Sequence, residues 1–175
     1  MNKNIFNHVE LPDSKPLLNL LKSSVSSATI LSFLIKENIS IDFNHSIGQQ
    51  IWDETIHRAV LTTQKNNGMD WSKTPLEITN SEEALMGWML MNGAPIEKDE
   101  ESDPLLLSIK NDWNGLALWI LNNHETYYTK EKLKDLSLRK NGIPIIHQLA
   151  KDGKVDVLKK WLEITGYHDL KDNHG

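Results

Sequence analysis

The sequence predicts an all-α fold of about five stacked helix–turn–helix units. Three features lead to this prediction: a repeated spacing of turn residues, a recurring start of the first helices, and an aromatic residue at one place in the second helices. The spacing is clearest near the C-terminus, where Arg139–Gly142 resembles Lys171–Gly175 and the two glycines are 33 residues apart. A fixed period of about 20 to 50 residues is typical of repeat architectures.

First helices are predicted to start at four of the six prolines, which stand at equivalent places in the predicted units and directly before apolar residues. Proline suits the first turn of a helix because its missing N–H would have no intrahelical partner there, and because its fixed φ already fits a helix. The four predicted starts are Pro16-Leu17-Leu18, Pro75-Leu76, Pro104-Leu105-Leu106 and Pro144-Ile145-Ile146.

Second helices are predicted to end at asparagine or glycine, because these residues readily adopt the left-handed conformation that closes a helix. The predicted ends are Asn38, Gly68, Gly93 and Gly166. An aromatic residue stands five positions before three of these ends, and Trp119 takes the same place in a unit that lacks the glycine. The three aromatic residues are Phe33, Trp88 and Trp161. One bulky aromatic residue per unit predicts a column of side chains between neighbouring second helices.

The clearest unit runs through Gly142-Ile143-Pro144-Ile145-Ile146-His147-Gln148-Leu149-Ala150, then Lys151-Asp152-Gly153, then Val155 to Leu162 and Gly166. This order resembles an ankyrin repeat, in which a turn glycine, a Thr-Pro-Leu-His segment, Leu-Ala and a glycine turn precede a second apolar helix. The resemblance implies an ankyrin-repeat solenoid in a single domain over residues 1–175, with units joined by β-hairpin-like finger loops. It also implies a structural role for His147.

The predicted units cover roughly 15–43, 44–70, 71–98, 99–137 and 138–170, and residues 171–175 begin a further unit. The second unit departs most from the pattern, because it lacks both the Pro-Leu start and the aromatic residue. It requires a short first helix around Ile47 to Asp53 and a second helix around Thr55 to Lys65. Residues 1–14 are expected to cap the first unit, because solenoids need polar caps at their ends.

The fourth unit is longer than the pattern, and its surplus lies between Asn122 and Lys140. Thr129 is a candidate N-cap, and Leu133 and Leu136 supply an apolar side, so a short extra helix is predicted there. Insertions in solenoids often lie on the binding face. The alternative is a surface loop that has diverged without a function of its own.

Composition narrows the class of protein. The net charge of −5 opposes nucleic acid as a partner, because duplex binding depends on clustered Lys and Arg. No apolar run approaches the roughly 20 residues that span a bilayer, and no secretory signal is recognisable. The absence of cysteine excludes disulfides and fits a reducing compartment. We therefore expect a cytoplasmic monomer without membrane insertion.

No catalytic constellation is recognisable: the sequence has no Gly-x-Ser-x-Gly, His-Glu-x-x-His, Gly-rich phosphate loop or EF-hand series. His168 and His174, with Asp169 and Asp172, are the set that comes nearest to a metal site, and a spacing of this kind is common by chance. We therefore predict no enzyme activity, no cofactor and no metal.

The ankyrin resemblance implies that the chain binds a protein partner through its concave face and its finger loops. Residues that break the pattern near the loops are the predicted contacts: Trp71, Glu100, Glu101, Tyr127 and Tyr128. Tyr and Trp favour interfaces because they add large, rigid contact area at low entropic cost. Trp113 lies in a predicted turn and is instead expected to pack against an adjacent helix.

Two successive predicted loops carry opposite charge. The acidic loop contains Glu97, Asp99, Glu100, Glu101 and Asp103, and the basic loop contains Lys130, Lys132, Lys134, Arg139 and Lys140. Either the loops pair with each other, at roughly 0–1 kcal/mol per exposed pair, or they orient a partner and speed its encounter. The acidic loop is expected to lie in solvent, where no apolar pocket raises the pKa of its carboxylates.

The chain stops inside a predicted repeat, so the apolar side of its last helix is left partly uncovered, and we expect the N-terminal piece of a longer protein. The alternative function is therefore a module that recruits substrates or host targets for a larger enzyme or a secreted bacterial effector. Divergent repeats in an Asn-, Lys- and Ile-rich chain resemble ankyrin effectors of intracellular bacteria, which implies the host cytosol as an alternative location. A stand-alone enzyme is the third and least favoured interpretation.

Overall fold

The computed structural model describes residues 9–10, 15–61, 82–96, 101–137 and 144–166. The chain is mostly helical, which confirms the predicted all-α class, and it divides into two compact units. The N-terminal unit contains the described residues up to Pro95, and the C-terminal unit contains those from Ile96 onward.

The N-terminal unit is built from helices that pack against one another in pairs. Its described helices are α1 (Lys15–Lys22), α2 (Ser27–Lys36), α3 (Ser46–Leu61) and α4 (Glu82–Met91). Helices α1 and α4 each pack against both α2 and α3. Two short parallel strands, β1 (Val9–Glu10) and β2 (Ile39–Ser40), pair Val9 with Ile39 directly after α2. The segment expected to cap the first unit therefore contacts the end of the first helix pair.

The predicted division of the second unit into two helices is wrong, because α3 is one helix of 16 residues. Its buried residues Ile51, Trp52, Thr55, Ile56 and Ala59 recur at helical spacing through the expected break. No proline or glycine interrupts the chain between them. The predicted starts and ends at Pro75 and Gly68, and the continuation of the second helix to Lys65, lie outside the described residues.

The C-terminal unit contains two helix–turn–helix pairs with two short helices between them. Its described helices are α5 (Pro104–Lys110), α6 (Asn114–Asn122), α7 (His124–Tyr127), α8 (Lys130–Ser137), α9 (Ile145–Lys151) and α10 (Val155–Thr165). Helix α10 packs against α6, α8 and α9. The predicted extra helix is confirmed as α8, and its N-cap Thr129 Oγ1 accepts the N–H of Lys132 at 3.1 Å.

Prolines stand at three described helix starts, as the sequence predicts. Pro104 is the first residue of α5 and Pro16 the second residue of α1, whereas Pro144 directly precedes α9. The missing N–H of each proline therefore falls among groups that have no intrahelical partner.

Left-handed helix ends are confirmed at Asn38, Gly93 and Gly166, whose φ angles are 50°, 92° and 70°. Helices α2 and α4 also close through matching backbone hydrogen bonds. In α2, Glu37 N donates to Phe33 O at 3.0 Å and Asn38 N to Ile35 O at 3.1 Å; in α4, Asn92 N donates to Trp88 O at 3.1 Å and Gly93 N to Leu90 O at 3.0 Å. The two second helices of this unit thus end in the same way.

Helix α6 ends like α4 although it lacks the closing glycine. In α4 the backbone N–H and Nδ2 of Asn92 both donate to Trp88 O, at 3.1 and 2.8 Å. In α6 the same two groups of Asn123 donate to Trp119 O at the same distances. The place predicted for Trp119 from its distance to the helix end is therefore confirmed.

The α5–α6 and α9–α10 turns have the same backbone conformation. Each contains one left-handed residue, Asp112 with φ 60° in the first turn and Gly153 with φ 69° in the second. In both turns the next residue donates its N–H to the carbonyl five positions earlier. These bonds join Trp113 N to Ser108 O at 2.8 Å and Lys154 N to Leu149 O at 2.9 Å. The C-terminal unit therefore contains one supersecondary element twice.

The predicted aromatic column is not uniform. Trp88 and Trp161 are buried, but Phe33 is 39% exposed because it lies off the buried side of α2, formed by Ile30, Leu31 and Leu34. Trp119 is half-buried. Counted from the helix start, Trp119 is one position earlier than Trp161, a difference of about 100° around the helix axis. Trp113 is buried, which confirms its predicted packing role.

Arg58 of α3 fastens the α1–α2 turn in the N-terminal unit. Its guanidinium donates to Leu21 O and to Val25 O, each at 2.7 Å, and to Ser27 Oγ at 3.2 Å. Glu82 at the start of α4 accepts from Ser27 Oγ at 3.1 Å, and its carboxylate lies 4.0 Å from Arg58. Helices α1, α2 and α4 therefore meet at one cation of α3.

Lys154 fastens the α5–α6 turn in the C-terminal unit. Its side chain is 5% exposed, and Nζ donates to the carbonyl of Ile109 at the end of α5. Nζ also pairs with Asp112 Oδ1 at 2.7 Å. Because Lys154 itself belongs to the α9–α10 turn, this one side chain joins the two equivalent turns.

Candidate functional site

The predicted partner contacts fall into three groups in the structure. Trp71 and Glu100 lie outside the described residues. Glu101 is exposed just before α5, and Tyr127 is half-buried at the end of α7. Tyr128, the next residue, is only 3% exposed. The structure therefore leaves Glu101 and Tyr127 as accessible members of the predicted set.

Tyr128 was predicted to contact a partner, and this prediction is wrong because its side chain belongs to the core. Its phenol hydroxyl donates to Asp103 Oδ1 at 3.0 Å, and Lys132 Nζ lies 5.8 Å from the centre of its ring. A side chain with so little exposed surface offers a partner almost no contact area. The sequence analysis placed Tyr128 in a surface insertion. It could not foresee that the hydroxyl bonds to Asp103, because the two residues are 25 positions apart in the chain.

Asp103 was predicted to lie in an exposed acidic loop, and this prediction is wrong because its side chain is buried. It is the N-cap of α5, and its Oδ1 accepts the backbone N–H groups of Leu105 and Leu106 at 3.0 and 3.1 Å. The same oxygen accepts the Tyr128 hydroxyl. Oδ2 is buried without a hydrogen-bond partner among the residues that the structure describes. Only Glu101 of the predicted acidic loop is therefore described as exposed.

Burial raises the pKa of Asp103 above its ordinary value, although the hydrogen bonds from Leu106 and Tyr128 and the charge of Lys132 act in the opposite direction. Burial, together with the neighbouring carboxylate of Asp103, also raises the pKa of Tyr128 well above its ordinary value. The expectation that no apolar pocket raises a carboxylate pKa in this loop is wrong for Asp103. We interpret the pair as a structural cap, since its carboxyl is not open to solvent.

The predicted basic loop is also corrected, because Lys130, Lys132 and Lys134 lie on α8. Lys132 faces the buried tyrosine, so it does not belong to a freely projecting loop. Arg139 and Lys140 lie outside the described residues. The prediction of side-by-side charged loops is therefore wrong for the lysines that the structure describes.

Trp119 is a surface residue that the sequence analysis assigned to the core. Its ring lies 5.6 Å from the ring of Tyr127, centre to centre, with the planes inclined by 50°. Both side chains are half-buried, and burial raises the pKa of Tyr127. Counted from the helix start, Trp119 is one position earlier than Trp161. This difference was the sequence signal that could have revealed that Trp119 is not fully buried.

We call Glu101, Trp119 and Tyr127 the aromatic edge. The hydrogen bond between Asp103 and Tyr128 brings the segment after Glu101 next to the segment after Tyr127. Two half-exposed rings and one exposed carboxylate can bind a partner by apolar contact and by charge. Among the described residues, no set of three or more His, Asp or Glu side chains is arranged to hold a metal. The histidines weighed as a metal site, His168 and His174, lie outside the described residues.

None of the helices within the described ranges has both the length and the apolar character needed to cross a membrane. A scan against protein-family models, a search of curated proteins and a search of solved structures each give no match to this chain. The ankyrin resemblance therefore stays a prediction that rests on the residues and turns of this chain.

Proposed function

We propose that this chain is a protein-binding module of the ankyrin-repeat type, without catalytic activity of its own. The proposed binding surface comprises the concave face and the loops at its edge. The observation that carries the proposal is the repeated turn, since Asp112 and Gly153 occupy equivalent left-handed positions between equivalent helices. Stacked repeats of this kind form extended surfaces suited to holding partners.

The aromatic edge is the part of the described surface that we propose as an anchor. Tyr127 and Trp119 support each other, so their rings present a rigid surface that loses little entropy when a partner binds. Glu101 adds a charge that can select the orientation of the partner. Trp71 and Glu100 remain predicted contacts.

Affinity capture with the purified chain as bait tests the proposal. The test variant carries Glu101→Lys and Tyr127→Ala, and the matched control carries Asp53→Lys and Leu61→Ser at exposed positions of α3. Each variant reverses one charge and removes one apolar surface group. We expect a specific partner that the parent and the control retain and that the test variant loses. Removal of an anchor costs about 2 kcal/mol or more, roughly a thirtyfold loss of affinity.

Circular dichroism should show equal helix content and similar melting for all three baits. If the test variant captures the same partners as the parent with the same affinity, the aromatic edge is not the anchor. If none of the folded baits retains a specific protein partner, the binding function itself is contradicted.

A further inference from the structure

The α7–α8 segment, residues 123–137, lies between the two helix pairs of the C-terminal unit and is attached to both. Helix α7 contacts α6 of the first pair, and α8 packs against α9 and α10 of the second. Leu133 and Leu136 are the buried apolar residues of α8. The segment is thus in contact with both helix pairs, and α8 is its buried part.

The first attachment joins the segment to the start of α5. The Tyr128 hydroxyl donates to Asp103 Oδ1, the oxygen that also caps α5. Both side chains are buried, so water does not compete for this hydrogen bond. Loss of the tyrosine hydroxyl would therefore affect the capping group of α5 directly.

The second attachment joins the segment to the middle of α10. Trp161 Nε1 donates to Ser137 Oγ at 2.7 Å, and Ser137 Oγ donates to Leu133 O at 2.8 Å. Ser137 and Trp161 are fully buried. The last turn of α8 therefore supplies the hydrogen-bond acceptor for the largest side chain of α10.

Lys154 joins the same two helix pairs at their turns. Asp103, at the other end of α5, is remote from that turn, so the α7–α8 segment joins the pairs where Lys154 does not reach. The pairs are thus joined at two places, once by an ion pair and once by a segment of chain.

We propose that the α7–α8 segment is a strap that couples the first turn of α5 to α10, so that releasing either attachment loosens the element at the other. Coupling of this kind is reciprocal, because each attachment stabilises the same packed position of the strap. A partner that contacts Tyr127 or Glu101 would act on residues adjacent to the first attachment and would change the local stability of α10. The strap does not depend on the proposed binding function.

Hydrogen exchange followed by mass spectrometry tests the strap in two single variants. Tyr128→Phe removes the hydroxyl at the first attachment, and Ser137→Ala removes the acceptor at the second. We expect Tyr128→Phe to speed the exchange of α10 amides about tenfold, and Ser137→Ala to speed the exchange of the Leu105–Leu107 amides by a similar factor.

Two controls separate the strap from local damage. Tyr127→Phe removes a neighbouring hydroxyl that is only half-buried. Thr165→Val removes a buried hydroxyl that donates to Trp161 O at 2.9 Å within α10, and it leaves both partners of the bond from Trp161 Nε1 to Ser137 Oγ in place. We expect Tyr127→Phe to leave α10 unchanged, and Thr165→Val to speed the exchange of α10 but not that of α5.

Three results would overturn the strap. The first is faster exchange confined to the element that carries the substitution. The second is equal acceleration in all helices from α1 to α10, which would indicate global unfolding. The third is faster exchange of the first turn of α5 in Thr165→Val, which would indicate that the contact between α6 and α10 carries the coupling.

Discussion

The two units of the protein hold a helix turn with a cation, but they use different chemistry. Arg58 donates to three backbone carbonyls and to a serine hydroxyl through its fork of donors, and its side chain is 16% exposed. Lys154 is more deeply buried and concentrates its charge on Asp112 and one carbonyl. The arginine clamp therefore distributes its bonds, whereas the lysine clamp depends on a single ion pair. We therefore expect the turn held by Arg58 to tolerate the loss of one hydrogen bond better than the turn held by Lys154 tolerates the loss of its ion pair.

Replacement of Lys154 is expected to have the largest effect. Lys154→Met keeps the aliphatic length but leaves Asp112 and the Ile109 carbonyl without the ammonium group. Removing one partner of a buried pair costs about 3–5 kcal/mol, and we expect the lower end because Asp112 is partly exposed. Urea unfolding followed by circular dichroism measures the loss, with Lys151→Met at an exposed position as the control. If Lys154→Met lowers the free energy of unfolding no more than Lys151→Met does, Lys154 contributes no more to stability than an exposed lysine.

Replacement of Arg58 by lysine is expected to have an intermediate effect. Arg58→Lys keeps the positive charge but cannot reach both carbonyls, Leu21 O and Val25 O, with one ammonium group. We expect a loss of about 1–2 kcal/mol, since one or two hydrogen bonds to a charged group are removed. Denaturant midpoints compare this variant with Arg58→Ala, which should lose more. Equal stability of Arg58→Lys and the parent would show that the charge alone matters.

The smallest effect is expected at Asp103 and depends on pH. Burial raises the pKa of Asp103 above its ordinary value of 3.8, so the folded chain holds this proton more tightly than the unfolded chain. Its contribution to stability is therefore fully present below the ordinary value and is lost as the pH rises through the raised value. Asp103→Asn keeps an acceptor for the α5 N–H groups and should remove this dependence.

Unfolding midpoints at about pH 3 and near neutral pH measure the effect of Asp103. We expect Asp103→Asn to gain stability relative to the parent as the pH rises. Asp103→Ala, which also removes the cap, should be about 1 kcal/mol less stable than Asp103→Asn at both values. A constant difference between the parent and Asp103→Asn across this range would contradict the raised pKa.

Local signals in the sequence predicted much of the fold. Prolines marked helix starts, and Asn38, Gly93 and Gly166 marked helix ends, because each depends on the conformational preference of one residue. The α8 helix followed from a cap and two leucines. The continuous α3 helix was missed because the repeat pattern was extended into a segment where the side chains favour one helix.

The candidate site was less predictable, because its features depend on partners distant in the sequence. The sequence alone gives no sign that Tyr128 donates to Asp103, or that Lys154 is buried against Asp112. Adjacent residues of the same type, such as the half-buried Tyr127 and the buried Tyr128, differ only in the direction that the folded backbone gives their side chains. Long-range packing therefore decides which predicted contacts remain on the surface.

Asp112 has a consequence for how this protein can diverge. In the equivalent turn, Gly153 adopts the left-handed conformation with no side chain to strain, whereas Asp112 adopts it with a side chain that binds Lys154. The two residues should therefore co-vary among related sequences: where the lysine is replaced by an uncharged residue, glycine or asparagine should return at the position of Asp112.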